Sequence, residues 1–282
     1  MIFWVASYPK SGNTWLRSLL SAYYYSENGF FNQSLLNNIS QFPEKKYFEK
    51  FDYDPSIVTS TTKFWIKAQE QINEDKKLKF LKTHNFLGKI DNNNFTNKQN
   101  SIGGVYIVRD PRNIITSLKN HFEFSTDQAI AFMTSEKKYI FDQFKKNDYS
   151  DFQFLSSWEK HYKSWKNQKN LPVKIIKYED LSHNTFEIFK EVIEFINKNV
   201  KNKNIFDITK AKNAIESTGF QKMKNIENNE GFKESVLSKS NLSKIPFFHL
   251  GPKNDWKNLH DVNLQKKLNH IFDENLRELN YI

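Results

Sequence analysis

The chain has 282 residues, a formal net charge of +10 and no cysteine. The length suits one large α/β domain or two small ones. The missing cysteines exclude disulfides, thiol nucleophiles and cysteine metal sites, while lysines interleaved with acids argue against a nucleic-acid surface despite the charge.

The first predicted element is a short buried strand over 2–6, IFWVA. It breaks into the turn SYPKSGNT and resumes as a helix whose apolar stripe is Trp15, Leu16, Leu19, Leu20 and Tyr23. Strand, small-residue turn and helix is an arrangement that cradles a phosphate. The first amides of a helix have no internal partner, and the helix dipole adds partial positive charge. The amides of Ser11, Gly12, Asn13 and Thr14 can converge on one anion, Gly12 allows close backbone approach, and Lys10 supplies a mobile ammonium. The pattern is not G-x-x-x-x-G-K-[ST], because Lys10 precedes Gly12 and no earlier glycine exists. Taken alone, the turn is equally an ordinary strand–helix connection with a solvated lysine.

A second strand, KFLKT over 79–83, ends beside Lys82 and His84. Residues two apart on a strand share a face, so both can enter one site. An imidazole takes a hydroxyl proton near neutral pH and a lysine steadies negative charge. A solitary histidine is also often a structural one. The third strand, 104–109, leads into a helix capped by Asp110 with Pro111 at its first position. Arg109 ends that strand and Ser117 lies two turns into the helix, a guanidinium fork and a hydroxyl suited to a second phosphate. The alternative pairs Arg109 with Asp110 or another carboxylate. Arg112 is expected at the surface.

Amphipathic helices are expected over 126–146 and 151–168, the second with Trp158, Tyr162 and Trp165. A fourth strand over 173–178 precedes a helix over 181–196 with Phe186, Phe189, Ile193 and Phe195 on its apolar face. Residues 224–245 are polar and aperiodic, as in a mobile lid. The run FFHLGPKNDWKN, 247–258, reads as a loop anchored by Trp256. A final helix over 261–279 directs Val262, Leu264, Leu268, Ile271, Phe272, Leu276 and Leu279 to the core.

Strands alternating with helices predict an α/β fold, a central, mostly parallel sheet flanked by helices, with ligands at the carboxyl ends of the strands. No linker or internal repeat divides it, so a single domain over 1–282 with helical insertions is expected. No leader sequence or membrane-length apolar run is recognised, and the expectation is a cytoplasmic protein without a nucleic-acid partner.

Together these stretches resemble the cytosolic-type sulfotransferase family. SYPKSGNTW is similar to its 5′-phosphosulfate loop, usually Y-P-K-S-G-[TN]-T-W, and KTH to the strand end carrying its catalytic histidine. VRDPRNIITS is similar to its 3′-phosphate loop, with the same arginine–serine interval. KYEDL at 177–181 and STGFQKM at 217–223 resemble its adenine-contacting segments. The resemblance runs in family order from residue 5 to 258. It implies a three-layer fold like that of the phosphate-loop proteins and the donor co-substrate 3′-phosphoadenosine 5′-phosphosulfate (PAPS), with no metal. By position it implies Lys10 at the bridging oxygen and Ser11, Gly12, Asn13 and Thr14 around the 5′-phosphate. It places Trp15, Tyr178 and Phe220 at the adenine with Thr218 beside them, and Arg109 and Ser117 at the 3′-phosphate. His84 becomes the general base and Lys82 its electrostatic support.

The last family loop usually reads R-K-G-x-x-G-D-W-K-N. Here His249 and Leu250 replace the two cations and Asn254 the second glycine, while Gly251 remains. His249 is either a substitute cation or a residue packed beside Phe247 and Phe248. The dimer motif K-x-x-x-T-V-x-x-x-E is broken at Asp261 and Lys266, which leaves the oligomeric state open. The expected reaction moves a sulfuryl group from PAPS to a hydroxyl (or amine) of a small-molecule acceptor of unread identity. The alternatives are a nucleotide-binding pseudoenzyme and a nucleotide or small-molecule kinase on the same sheet. The kinase normally has its lysine after the second glycine and an acid for magnesium.

Overall fold

The computed structural model describes residues 1–142, 147–201, 205–238 and 240–282. Its main sheet holds β1 (Ile2–Ser7), β2 (Lys79–Thr83), β3 (Ser101–Val108) and β4 (Val173–Lys177) in the order β2-β1-β3-β4, with every neighbouring pair parallel. All four predicted strands are present, with β3 beginning three residues earlier than expected. Among the described residues no helix is long and apolar enough to cross a membrane.

Side chains alternate between the two faces of the sheet, and helices cover both. Trp4, Ala6, Leu81 and Tyr106 pack with Trp65 of α2 (Trp65–Ile72), with Trp158, Tyr162 and Trp165 of α5 (Trp158–Lys166) and with Leu268, Phe272 and Leu276 of α11 (Val262–Glu278). Phe3, Val5, Val105 and Ile107 pack with Leu16, Leu19 and Leu20 of α1 (Asn13–Tyr25). On that same face lie Phe189 and Ile193 of α7 (Thr185–Asn199) and Ala211 and Ala214 of α8 (Ile208–Ser217). Each large side chain buried this way contributes roughly 1.5–3 kcal/mol.

The helix after β3 forms as predicted: α3 (Pro111–Phe122) is capped by the Asp110 carboxylate, which accepts from the Arg112 amide. Other expectations need correction. The helix predicted over 126–146 stops as α4 (Thr126–Thr134). Ser135 then turns extended, and Tyr139–Ile140 pairs antiparallel with Gln153–Phe154. Residues 143–146 of that stretch lie outside the described residues. The helix predicted over 181–196 is two, α6 (Tyr178–His183) and α7, broken where Asn184 leaves helical geometry. The segment 224–245 is not aperiodic throughout. It continues α9 (Phe220–Glu230) and then forms a short ladder between Val236–Leu237 and Lys244–Ile245, with residue 239 outside the description. Val262 opens α11 but is 64% exposed rather than in the core.

Arg112 is the clearest reversal. Expected at the surface, it is 1% exposed. Its guanidinium grips Asp110 (Nε to Oδ1 2.9 Å, Nη2 to Oδ2 2.7 Å) and lies 3.9 Å from the Trp256 ring centroid. Trp256 opens the short helix α10 (Trp256–Leu259), so this stack ties the late loop to the start of α3.

Candidate active site

Parallel register brings the ends of the four strands to one edge. Ala6 lies opposite both Thr83 and Tyr106, and Ile107 lies opposite Ile176, so Ser7, His84, Arg109 and Tyr178 emerge together. Beside that edge is a cavity of about 1240 Å³. Every residue that the sequence reading gave to the donor or to the chemistry lines it except Ser11, which is wholly buried in the turn.

The turn has the geometry of an anion cradle. Gly12 takes φ +101°, and a Cβ there would fall 2.5 Å from the Tyr178 ring, so only glycine lets the chain pass beneath it. Helix α1 starts at Asn13 without a side-chain cap. Among the described residues, the amides of Gly12, Asn13 and Thr14 have no acceptor. Ser11 Oγ, Trp15 Nε1 and Arg109 Nε are also buried without a partner. So many unspent donors, on the turn and on side chains near it, fit an anionic ligand.

His84 is held by its backbone and by one ring nitrogen. Its amide donates to Gln153 Oε1 (2.7 Å), and its carbonyl accepts from His161 Nε2 (2.9 Å). Nδ1 lies 2.8 Å from the Ser7 carbonyl oxygen and 3.2 Å from Ser7 Oγ, a hydroxyl that can accept as well as donate. A carbonyl can only accept, so Nδ1 carries the proton and Nε2 keeps its lone pair. Burial, reinforced by the charge of Lys82, holds the imidazole pKa well below 6.5. At neutral pH it is therefore an uncharged base.

Lys10, Lys82 and Arg109 line the same cavity. The Lys10 ammonium lies 4.0 Å from the Phe247 ring centroid, and burial, partly offset by Glu234, lowers its pKa to about 7. Lys82 Nζ lies 3.2 Å from a carboxylate oxygen of Glu234. Arg109 does not pair with Asp110, because Arg112 has taken that carboxylate. It donates instead to the Lys10 carbonyl (3.2 Å), and its guanidinium lies 4.1 Å from the Tyr178 ring centroid. Ser117 Oγ accepts from Asn254 Nδ2 (3.0 Å). The residue in the place of the family's second glycine thus helps to position that hydroxyl.

Aromatic side chains line the cavity beside the cradle. The Trp15 and Tyr178 rings meet edge-on at 5.8 Å. Phe220 passes so close to Gly251 (φ +55°) that a Cβ there would fall 2.3 Å from its ring. Thr218 is buried, its hydroxyl donating to the Ala214 carbonyl (2.7 Å). His249 is exposed at the rim, where partial burial and the charge of Lys224 lower its pKa. The far end of the cavity is aromatic, with Phe122, Phe124, Phe132, Tyr139 and Phe141.

Sequence reasoning missed several residues of the site. Glu234 was hidden in a polar stretch with no periodicity. Gln153, and Asn254, which the family resemblance marked only as a departure, act through long-range side-chain contacts that no local pattern encodes. His121 stands in the cavity wall beside Phe122 and Phe247, with burial and then Lys10 lowering its pKa to about 3. It lies four residues beyond Ser117 on the helix that the sequence reading located, so helical spacing could have found it.

Similarity to known proteins agrees with this geometry. The sulfotransferase domain profile matches residues 2–280. Bovine sulfotransferase 1E1 is 25% identical over 276 residues, covering 97% of this chain and 82% of that protein. Rat sulfotransferase 1A1 is 24% identical over 92% of this chain and 78% of its own length. Among solved structures, mouse sulfotransferase SULT7A1 complexed with PAP superposes with a TM-score of 0.59 at 20% identity, covering 98% of this chain and 84% of that one. Retinol dehydratase complexed with retinol and PAP gives 0.58 at 14% identity, over 98% and 81%. These structures share the fold. The chain belongs to the sulfotransferase domain family.

Proposed function

We propose that this site moves the sulfuryl group of PAPS to a hydroxyl (or amine) of a small acceptor, releasing 3′,5′-adenosine diphosphate, with His84 as the general base. The observation that carries the reading is the contact of His84 Nδ1 with the Ser7 carbonyl. A neutral imidazole with Nδ1 fixed on the Ser7 carbonyl turns its basic Nε2 to the cavity that also holds the anion cradle.

The residues present fit the donor. The loop from Ser11 to Thr14 would hold the 5′-phosphate, with Lys10 toward the bridging oxygen. Arg109 and Ser117 would hold the 3′-phosphate, helped by the backbone at Gly251 and by His249 at the rim. Trp15, Tyr178 and Phe220 would flank the adenine with Thr218 beside them. When bound, PAPS supplies a sulfuryl group activated by its phosphate leaving group. His84 Nε2 accepts the proton of the acceptor hydroxyl, and the Ser7 carbonyl continues to hold Nδ1–H on the imidazolium that results. Lys10 and Lys82 place positive charge where negative charge gathers during the transfer, so positioning and electrostatics carry the catalysis. The aromatic end of the cavity favours an apolar or planar acceptor, such as a phenol, over a highly hydrated one.

Transfer can be followed with sulfur-labelled PAPS, EDTA and a panel of phenols, alcohols and amines led by 2-naphthol. Label should move to an acceptor with the wild type and fail to move with His84→Ala. Transfer undiminished in His84→Ala would contradict the assignment.

A further inference from the structure

The acidic side chain inside the cradle calls for an explanation. Glu234 sits on a turn that follows α9, within the segment 231–235. Its carboxylate accepts from the Thr14 hydroxyl and from Arg17 Nη1, and meets Lys82 Nζ at 3.2 Å. Burial opposes its ionisation, but Lys82, Arg17 and these hydrogen bonds outweigh burial and keep its pKa well below 4.5. An ionised carboxylate is therefore lodged among the groups that the reading above gives to the phosphosulfate end of the donor. Thr14 has a single hydroxyl proton, and here it is spent on Glu234. Two anions in one cradle repel each other, and neither can make full use of the same donors.

Arg17 shows how the conflict is arranged. It is buried on α1, does not line the cavity, and also donates to the Ile39 carbonyl (3.0 Å). It can hold the carboxylate without competing for the donor. The segment bearing Glu234 is anchored by Phe232, which is buried against Phe247 and Phe248, so the exchange moves the Glu234 side chain rather than the segment; two polar contacts flank it. Ser235 Oγ donates to Glu227 (2.6 Å), and Lys233 Nζ donates to Asn37 Oδ1 (3.1 Å).

We propose that Glu234 is an internal anion seated in the 5′ end of the donor site, and that donor binding displaces it from Thr14 and Lys82 while Arg17 retains it. This rests on the donor reading above. The carboxylate keeps the buried cations paired in the free protein and makes an arriving donor exchange for it. Only a strongly anionic 5′ group wins that exchange, so Glu234 also selects against nucleosides lacking one. Apparent affinity is then the intrinsic affinity reduced by the fraction of molecules with the seat open.

The test is calorimetry with adenosine 3′,5′-diphosphate on the wild type and Glu234→Gln, together with thermal unfolding of both in the absence of ligand. The exchange predicts that Glu234→Gln binds the bisphosphate about tenfold more tightly or better, while melting at a lower temperature because Arg17 and Lys82 lose their counter-charge. A merely structural carboxylate would lose affinity along with stability. Should the glutamine variant not fold, Glu234→Asp shortens the reach to Thr14 and is also expected to bind more tightly than wild type. Equal or weaker binding in the folded variant overturns the exchange and leaves the donor reading standing. No binding of the bisphosphate by any of the proteins overturns both.

Discussion

In the proposed reaction His84 and Lys10 divide the chemistry, and each makes a prediction at the residue scale. His84→Ala removes the proposed base without touching the cradle. Transfer should fall by about 10²–10⁴-fold while affinity for adenosine 3′,5′-diphosphate stays within twofold, measured by label transfer and calorimetry on the same preparation. Lys10 sets an alkaline limit. Its pKa of about 7 means that the free protein loses this ammonium as pH rises through neutrality. The cationic form is the one that attracts the donor, so kcat/KM for PAPS should decline above about pH 7. His84 is uncharged until well below pH 6.5, so no matching acid limb should appear between 6.5 and 7. Lys10→Arg, which keeps its charge, should remove the alkaline decline. A profile flat from pH 7 to 9 in the wild type would refute the role given to Lys10.

At the scale of elements, the stack of Asp110, Arg112 and Trp256 matters most. It joins the N-terminus of α3 to α10 and so fixes the loop carrying Gly251 and Asn254 against Ser117. Arg112→Met leaves the Asp110 carboxylate buried and unpaired, and breaking a buried pair costs about 3–5 kcal/mol. Urea unfolding should show that loss, and bisphosphate affinity should fall with it. A variant as stable as wild type would mean that the pair contributes nothing. The same element shows where sequence reading stops. The spacing of Asp110, Pro111, Arg109 and Ser117 was legible because caps and strand ends are local. Which arginine took Asp110 was not, because the choice depends on Trp256, more than a hundred residues away. The helix predicted through 146 likewise ended at Thr134. Its periodic pattern could not reveal that the Lys138 carbonyl would accept from the Leu155 and Ser156 amides instead.

Across the whole molecule, alternating strands and helices were enough to place the site at the carboxyl edge of a parallel sheet. Every strand predicted from apolar runs lies in that sheet, since buried parallel strands are written as short continuous hydrophobic segments. The residues supplied by local motifs, from Lys10 to Thr14 and from Lys82 to His84, converge because register leaves no other arrangement. Glu234 converges on them from a distant turn, and only the folded chain brings it there. The central claim is that these convergent donors form a site for an adenosine bisphosphate bearing a 5′ anion. It is tested most directly by titrating adenosine 3′,5′-diphosphate into the wild-type protein with EDTA present, beside ATP with and without magnesium. The predicted result is saturable, magnesium-independent binding of the bisphosphate that weakens at least tenfold in Arg109→Ala, since hydrogen bonds to charged groups contribute roughly 1.5–3 kcal/mol each. Tight binding of ATP that requires magnesium, with no response to the bisphosphate, would contradict it.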